Sequence, residues 1–146
     1  VAKLHAKKNN ININYINIVP ENFKQLNKFD IILNLEVVEH VENLDLYLSS
    51  CFGLLKQNGI MFTATINRTL TSYVKAIVGA EYILRWLPIG THDWNKFIKP
   101  EELEKKLTDL NFSITDLTGL SYNPIFQEWK KTKDMSVNYV IATKKN

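Results

Sequence analysis

An apolar run that stops on charge constrains this chain most: Phe29-Asp30-Ile31-Ile32-Leu33-Asn34-Leu35, followed directly by Glu36-Val37-Val38-Glu39-His40. A nearly continuous apolar segment of this length reads as a strand covered on both faces, the pattern of a parallel sheet. Residues 43–56 follow with apolar side chains at Leu44, Leu46, Leu48, Cys51, Phe52 and Leu55, a helical recurrence. Asn43 is placed to cap that helix, Asp45 lies in its first turn, and Asn58-Gly59 is expected to end it. Ile60 to Ile66 is the next β-prone run. Strand, helix, strand is the βαβ unit of an α/β fold. In such sheets ligands gather beyond the carboxyl ends of the strands, so Glu36, Glu39 and His40 stand where chemistry is usually done.

The flanks extend the same architecture. Residues 1–8 predict a helix with a basic end, Ile13 to Val19 a strand, and Pro20-Glu21-Asn22 a turn. Thr71 to Leu87 predicts a long helix. Pro100 to Leu110 predicts a charged one that starts on proline and carries Glu101-Glu102 at its positive pole. Phe112 to Leu117 and Val137 to Thr143 read as strands, with Thr118 to Met135 as a polar, aromatic loop between them. The 146 residues suit one domain, and 45% apolar content with 23% charged residues argues for a folded chain. A net charge of +3 without a basic motif interleaved with aromatics gives no reason to expect nucleic acid as a partner. The single cysteine, Cys51, excludes an internal disulfide and is expected to be a small buried hydrophobe in a reducing, cytoplasmic setting. No signal-peptide pattern and no membrane-spanning apolar stretch is visible. The chain opens on Val1, for which an alternative start, processing and truncation are equally good accounts.

Three readings of the acidic cluster stay open. Glu36 and Glu39 are three residues apart and Glu36 and His40 four; on a helical turn all three would point one way and could hold Mg²⁺ or another divalent cation. His40 could instead act alone as a general base, since imidazole as a class titrates near neutrality. Or Glu39 and His40 simply begin a solvated helix. Thr71 to Leu87 is similarly ambiguous. Tyr73, Ala76, Ile77, Ala80, Leu84 and Leu87 fall on one side, with Lys75, Glu81 and Arg85 on the other and Glu81–Arg85 spaced to pair. The helix is either an ordinary core helix or an interfacial one, with Trp86 at a headgroup boundary and Lys75 and Arg85 meeting anionic lipid. His92 and Asp93 either handle substrate or cap a turn beginning at Trp94.

The segments Glu36-Val37-Val38-Glu39-His40-Val41, Asn67-Arg68, Val78-Gly79-Ala80-Glu81-Tyr82-Ile83-Leu84-Arg85, Gly90-Thr91-His92-Asp93 and Phe97-Ile98-Lys99-Pro100-Glu101-Glu102-Leu103 together resemble the ubiquinone biosynthesis O-methyltransferase family. Val1-Ala2-Lys3-Leu4-His5-Ala6, Thr118 to Pro124 and Val137-Asn138-Tyr139 extend the resemblance over essentially the whole chain. The resemblance implies a Rossmann-like class I sheet. It implies methyl transfer from S-adenosylmethionine to a phenol or catechol hydroxyl of a polyprenylated ring, at both O-methylation steps of ubiquinone synthesis. It also implies a divalent metal on Glu36, Glu39 and His40, which would then be the catalytic trio, and Leu35 as a border of the adenosylmethionine pocket. Finally, it implies a peripheral enzyme at the inner face of a membrane, with residues 69–95 as a helical insertion facing membrane and substrate and other ubiquinone-biosynthesis proteins as partners.

Against the family pattern, the five glycines form no G-x-G pair. The expected fold is therefore a single partial domain, 1–146, whose sheet lacks the family's strands 1 and 2 from the order 3-2-1-4-5-7-6. It has the amphipathic insertion after strand 5. A methyltransferase completed by more chain or by a separate polypeptide is one expectation. A non-catalytic remnant that binds membrane or a complementary chain, but not the cofactor by itself, is the other. A methyltransferase acting on a different phenol is a third.

Overall fold

The computed structural model describes residues 1–24, 28–83, 85, 88–123 and 126–146, without the side chains of Ala76, Ala80 and Glu81. Among these, a five-stranded sheet runs in the order β1-β2-β5-β3-β4, where β1 is Phe29–Leu35, β2 Leu55–Ile66, β3 Phe112–Asn123, β4 Glu128–Thr132 and β5 Asn138–Lys145. β1 and β2 are parallel, with Ile32 opposite Met61 and Leu35 opposite Ala64. The other pairings are antiparallel. The first four positions reproduce the family's 4-5-7-6, and β4 adds an outer strand.

α1 (Ala2–Lys8) opens the chain, and a 3-10 turn covers Pro20–Asn22. α2 (Leu44–Leu54) connects β1 to β2; the Asn43 Oδ1 accepts from the Leu46 amide at 3.0 Å, the cap that the sequence promised. The helix stops at Leu54, short of Asn58-Gly59, and the chain is already extended at Leu55. α4 (Pro100–Asp109) has Pro100 at its first turn and Glu101 and Glu102 at its positive end. Both helices pack on one face of the sheet. Leu48, Leu55, Met61, Leu103, Leu107, Tyr139 and Ile141 are fully enclosed there, with Cys51 buried beside them. Burial pushes the Cys51 thiol up to about 11, so it remains a thiol, as a small core hydrophobe should.

Three expectations are corrected. Residues 13–19 are extended but pair with no strand, and Ile13, Ile16, Ile18 and Val19 are 45–52% exposed. β-propensity expresses a fit to a half-buried surface, and no neighbour among the described residues provides one. β1 is accordingly an edge strand, and Ile31, Leu33 and Leu35, which point away from α2 and α4, are 55–60% exposed. Second, Thr118 to Met135 is a hairpin and not a loop: β3 runs on to Asn123 and returns as β4. Third, the helix expected from Thr71 begins as α3 (Leu70–Ser72) and continues as a π-helix over Tyr73–Ile83. The wider π winding replaces the 3.6-residue face, so Tyr73 is exposed while Ile77 is buried against Ile66 and Phe97 on the sheet's second face. Leu84, Trp86 and Leu87 lie outside the described residues, as does the side chain of Glu81 and with it the proposed Glu81–Arg85 pair.

Candidate functional site at the tip of the first strand

β1 delivers its last residue, Leu35, 55% exposed, at the carboxyl end of the parallel pair. Glu36 follows with a φ of 54°, and its amide donates to the Ala64 carbonyl at 2.9 Å. A non-glycine residue in the left-handed region is uncommon, and such outliers cluster at functional sites. The next residues form a tight turn in which the His40 amide donates to the Val37 carbonyl at 2.9 Å and Val38 is buried.

This turn brings two carboxyls together. Glu39 is only 3% exposed, and its Oε2 accepts from the Thr65 hydroxyl at 2.7 Å. Its Oε1 is buried without a donor. Although Glu36 as a whole residue is exposed, partial burial of its carboxyl, and then the adjacent Glu39, pushes it up to about 7. The two observations fit each other. With both groups ionised Glu39 Oε1 has no donor, whereas a proton on Glu36 gives it one.

His40 is not part of that pair. Its ring is exposed and stacks on His92, with centroids 6.2 Å apart and planes 27° apart; His92 in turn meets Phe97 edge-on at 5.8 Å. Among the described residues no three His, Cys, Asp or Glu side chains are grouped to hold a metal ion. The expected trio of Glu36, Glu39 and His40 is therefore not an assembled ligand set. The reason is local: the helical turn needed to align residues i, i+3 and i+4 is replaced by left-handed Glu36 and a tight turn. As a test of fit, the orphaned Glu39 oxygen beside Glu36 offers a cation two carboxylates, but the imidazole does not complete the set.

The remaining candidates sort as follows. Asp93 caps a 3-10 turn, Trp94–Lys96, its Oδ1 accepting from the Asn95 amide at 3.0 Å. His92 is drawn to His40 from the far side of the π-helix, a meeting of two motifs that spacing alone could not reveal. Thr65 was missed by sequence reasoning; its only signal was that it, with Thr63, interrupts the apolar half of β2 with a hydroxyl. Lys75 and Arg85 are exposed. Trp86 lies outside the described residues. Arg68 pairs with Glu102 and donates to the Phe97 carbonyl at 3.1 Å, tying the end of β2 to α4.

Residues 4–117 match the family described as a methyltransferase domain. The chain belongs to that family. It is 55% identical over its whole length to a ubiquinone biosynthesis O-methyltransferase of Pelagibacter ubique, and 49% identical over 99% of its length to one of Mesorhizobium japonicum. The family recognised from its motifs is thus the one its relatives carry. It spans 61% and 59% of the lengths of those two relatives. A methyltransferase of Thermotoga maritima, described as a possible histamine N-methyltransferase, superposes with a TM-score of 0.68 at 16% identity, over 99% of this chain and 68% of the other. An S-adenosylmethionine-dependent methyltransferase of Clostridium acetobutylicum gives 0.66 at 14% identity, over 99% of this chain and 70% of the other. These likenesses establish the methyltransferase fold.

Proposed function

We propose that this methyltransferase chain serves S-adenosylmethionine-dependent O-methylation of a polyprenylated phenol or catechol in ubiquinone synthesis. The observation that carries the reading is the convergence of His40 and His92 beside the Glu36–Glu39–Thr65 cluster, at the strand tip of a methyltransferase sheet. A phenol titrates near pH 10 and is a weak nucleophile at neutrality, so the reaction needs a group to take its proton. His40 is accessible for that role, and His92 stacked on it fixes the ring's orientation. Glu39, buried and hydrogen-bonded to Thr65, holds the turn that presents His40.

Adenosylmethionine, when bound, supplies an electrophilic methyl on a sulfonium. The phenol oxygen forms the new bond to that carbon as the bond to sulfur breaks, and positioning of the two is the main demand. This chain offers the cofactor one border, the exposed apolar Leu35; the glycine-rich turn that would grip it is not among these residues, so the remaining grip belongs to additional chain or a separate polypeptide.

Among the described residues no helix is long and apolar enough to cross a membrane. Contact with a bilayer that stores the prenylated substrate falls to the insertion at 69–95, where Leu70, Val74 and Ile83 are 57–80% exposed.

The test is methyl transfer by the full-length protein with His40→Asn and His92→Asn. Loss of a positioned base is expected to lower kcat by about 10²–10⁴ for His40→Asn, with less effect for His92→Asn. Wild-type turnover by His40→Asn at neutral pH would sink the assignment. A second reading, a divalent cation on Glu36 and Glu39, is favoured by the unpartnered Glu39 oxygen; full activity in excess chelator would dismiss it.

A further inference from the structure

We infer that the outer strand of the sheet is a docking edge for a second copy of this chain, paired antiparallel across a two-fold axis at Trp129. The inference is independent of the reaction proposed above. β4 ends the sheet order, so one side of its backbone presents N–H and C=O groups with no strand beside them among the described residues. Residues 128–131 are all exposed. The strand is held straight for pairing by β3, residue for residue from Gly119 to Asn123, and by the Thr118 hydroxyl, which donates to the Thr132 carbonyl at 3.2 Å.

An open edge is a template for another chain, and lysines on it ordinarily discourage pairing. Here the charges instead select one register. A two-fold axis perpendicular to the sheet sets each residue before the axis opposite the partner's residue the same distance after it. Opposite charges facing each other across a strand pair stabilise it, and like charges destabilise it. Centring the axis on Glu128, Lys130 or Lys131 brings that charge against its own copy. Centring it on Thr132 sets Lys131 against the partner's Lys133. Of the positions in β4 only Trp129 avoids a like pair, and there Glu128 of each copy faces Lys130 of the other. Within one chain Glu128 and Lys130 share a face and stand 2.7 Å apart. The dimer therefore builds a closed square of four alternating charges, each carboxylate between two ammonium groups.

The opposite face supplies apolar contact. Trp129 stands across from Tyr122, with ring centroids 5.2 Å apart, and the two are 57% and 40% exposed. At the axis Trp129 meets its own copy, so a ladder runs from Tyr122 through both indoles to the second Tyr122. Aromatic cross-strand pairs of this kind stabilise sheets beyond the area they bury. A seam of five residues per copy is below the size of an obligate interface, so the dimer forms with concentration.

The experiment is sedimentation velocity on the full-length protein over a wide range of concentration. The wild type is expected to show a dimer fraction that rises with concentration. Glu128→Lys and Lys130→Glu alone each face like charges across the seam, twice per dimer, and are expected to lower the association constant by about tenfold or more. An equimolar mixture of the two variants is expected to recover dimer. Each introduced lysine then faces an introduced glutamate, and each retained lysine a retained glutamate. Neither variant regains its own Glu128–Lys130 pair in that mixture, so recovery reports contact between copies and not repair of the hairpin. A mixture that associates no better than either variant alone overturns the inference. So does a wild type that stays monomeric throughout, which would leave the edge to a different partner. A dimer unaffected by either variant also overturns it, by placing the contact on another surface.

Discussion

At Glu36 a left-handed backbone and a carboxyl with a raised pKa occur in one residue. Glycine has no steric objection to that φ, whereas a side chain in this region costs about 1–2 kcal/mol. Glu36→Gly relieves that strain but removes the donor to Glu39 Oε1, whereas Glu36→Asn tolerates the left-handed φ better than glutamate and keeps a side-chain amide. Glu36→Asn should therefore be no less stable than the wild type while impairing methylation. Chemical denaturation beside an activity assay checks both halves; destabilisation would refute the strain argument.

The Glu36 pKa also sets a pH dependence. It rises from 4.5 in the unfolded reference to about 7 in the fold. The native state thus binds more protons in that window, and linkage makes this residue's stabilising contribution full below about 4.5 and lost as pH climbs through 7. Unfolding midpoints should fall from pH 5 toward neutrality, and Glu36→Gln should flatten that slope. An unchanged slope would place the titration elsewhere. The place of these residues, at the tip of an apolar strand, was legible in the sequence, but their spacing left a metal site, a lone base and a solvated helix start all open. Their geometry was not legible, because the positive φ at Glu36 occurs where its N–H donates a hydrogen bond to the Ala64 carbonyl on the neighbouring strand, a contact distant in sequence.

Among the elements, those with strong local signals were readable. α2 was announced by Asn43, α4 by Pro100 and its acidic first turn, and β1 by its apolar run. The hairpin escaped because its strands carry exposed, polar and aromatic residues in place of alternating burial, and its register is set by contacts distant in sequence. Gly119 is the clearest of these. A Cβ there would stand 2.0 Å from the Asp134 carbonyl oxygen and 2.6 Å from its carbon, so only glycine lets β3 pass beneath the hairpin's return. Gly119→Ala must displace backbone, with an expected cost of about 1–3 kcal/mol. Hydrogen exchange should show the loss concentrated in 118–136. A uniform effect, or none, would mean that the return loop yields freely. The π-helix was hidden for another reason: its apolar residues satisfy a 3.6-residue period on paper, whereas the chain winds wider over Tyr73–Ile83 and buries Ile77 against Ile66 and Phe97.

At the level of the whole molecule, the sheet has one finished face, one half-covered face and an open edge at β1. α2 and α4 enclose the first face; the second is covered by Ile77, Trp94 and Phe97 near the strand tips, while Ile31 and Leu33 of β1 on that face are 55% and 60% exposed. An open apolar edge invites pairing with another chain. The relatives that this chain matches are longer, and it spans 61% and 59% of two of them. Leu33→Lys separates the two settings in which this edge can exist. In the 146-residue chain Leu33 meets solvent, so the lysine should cost little and reduce self-association, measurable by sedimentation velocity. In a longer protein whose added chain extends the sheet past β1 and packs on its second face, the same lysine would be forced into an apolar interior and should destabilise by about 3 kcal/mol or more. Opposite signs in the two would show that the row is completed by further chain. Equal, near-neutral effects in both would mean that β1 is a true edge and that its apolar row serves some other contact.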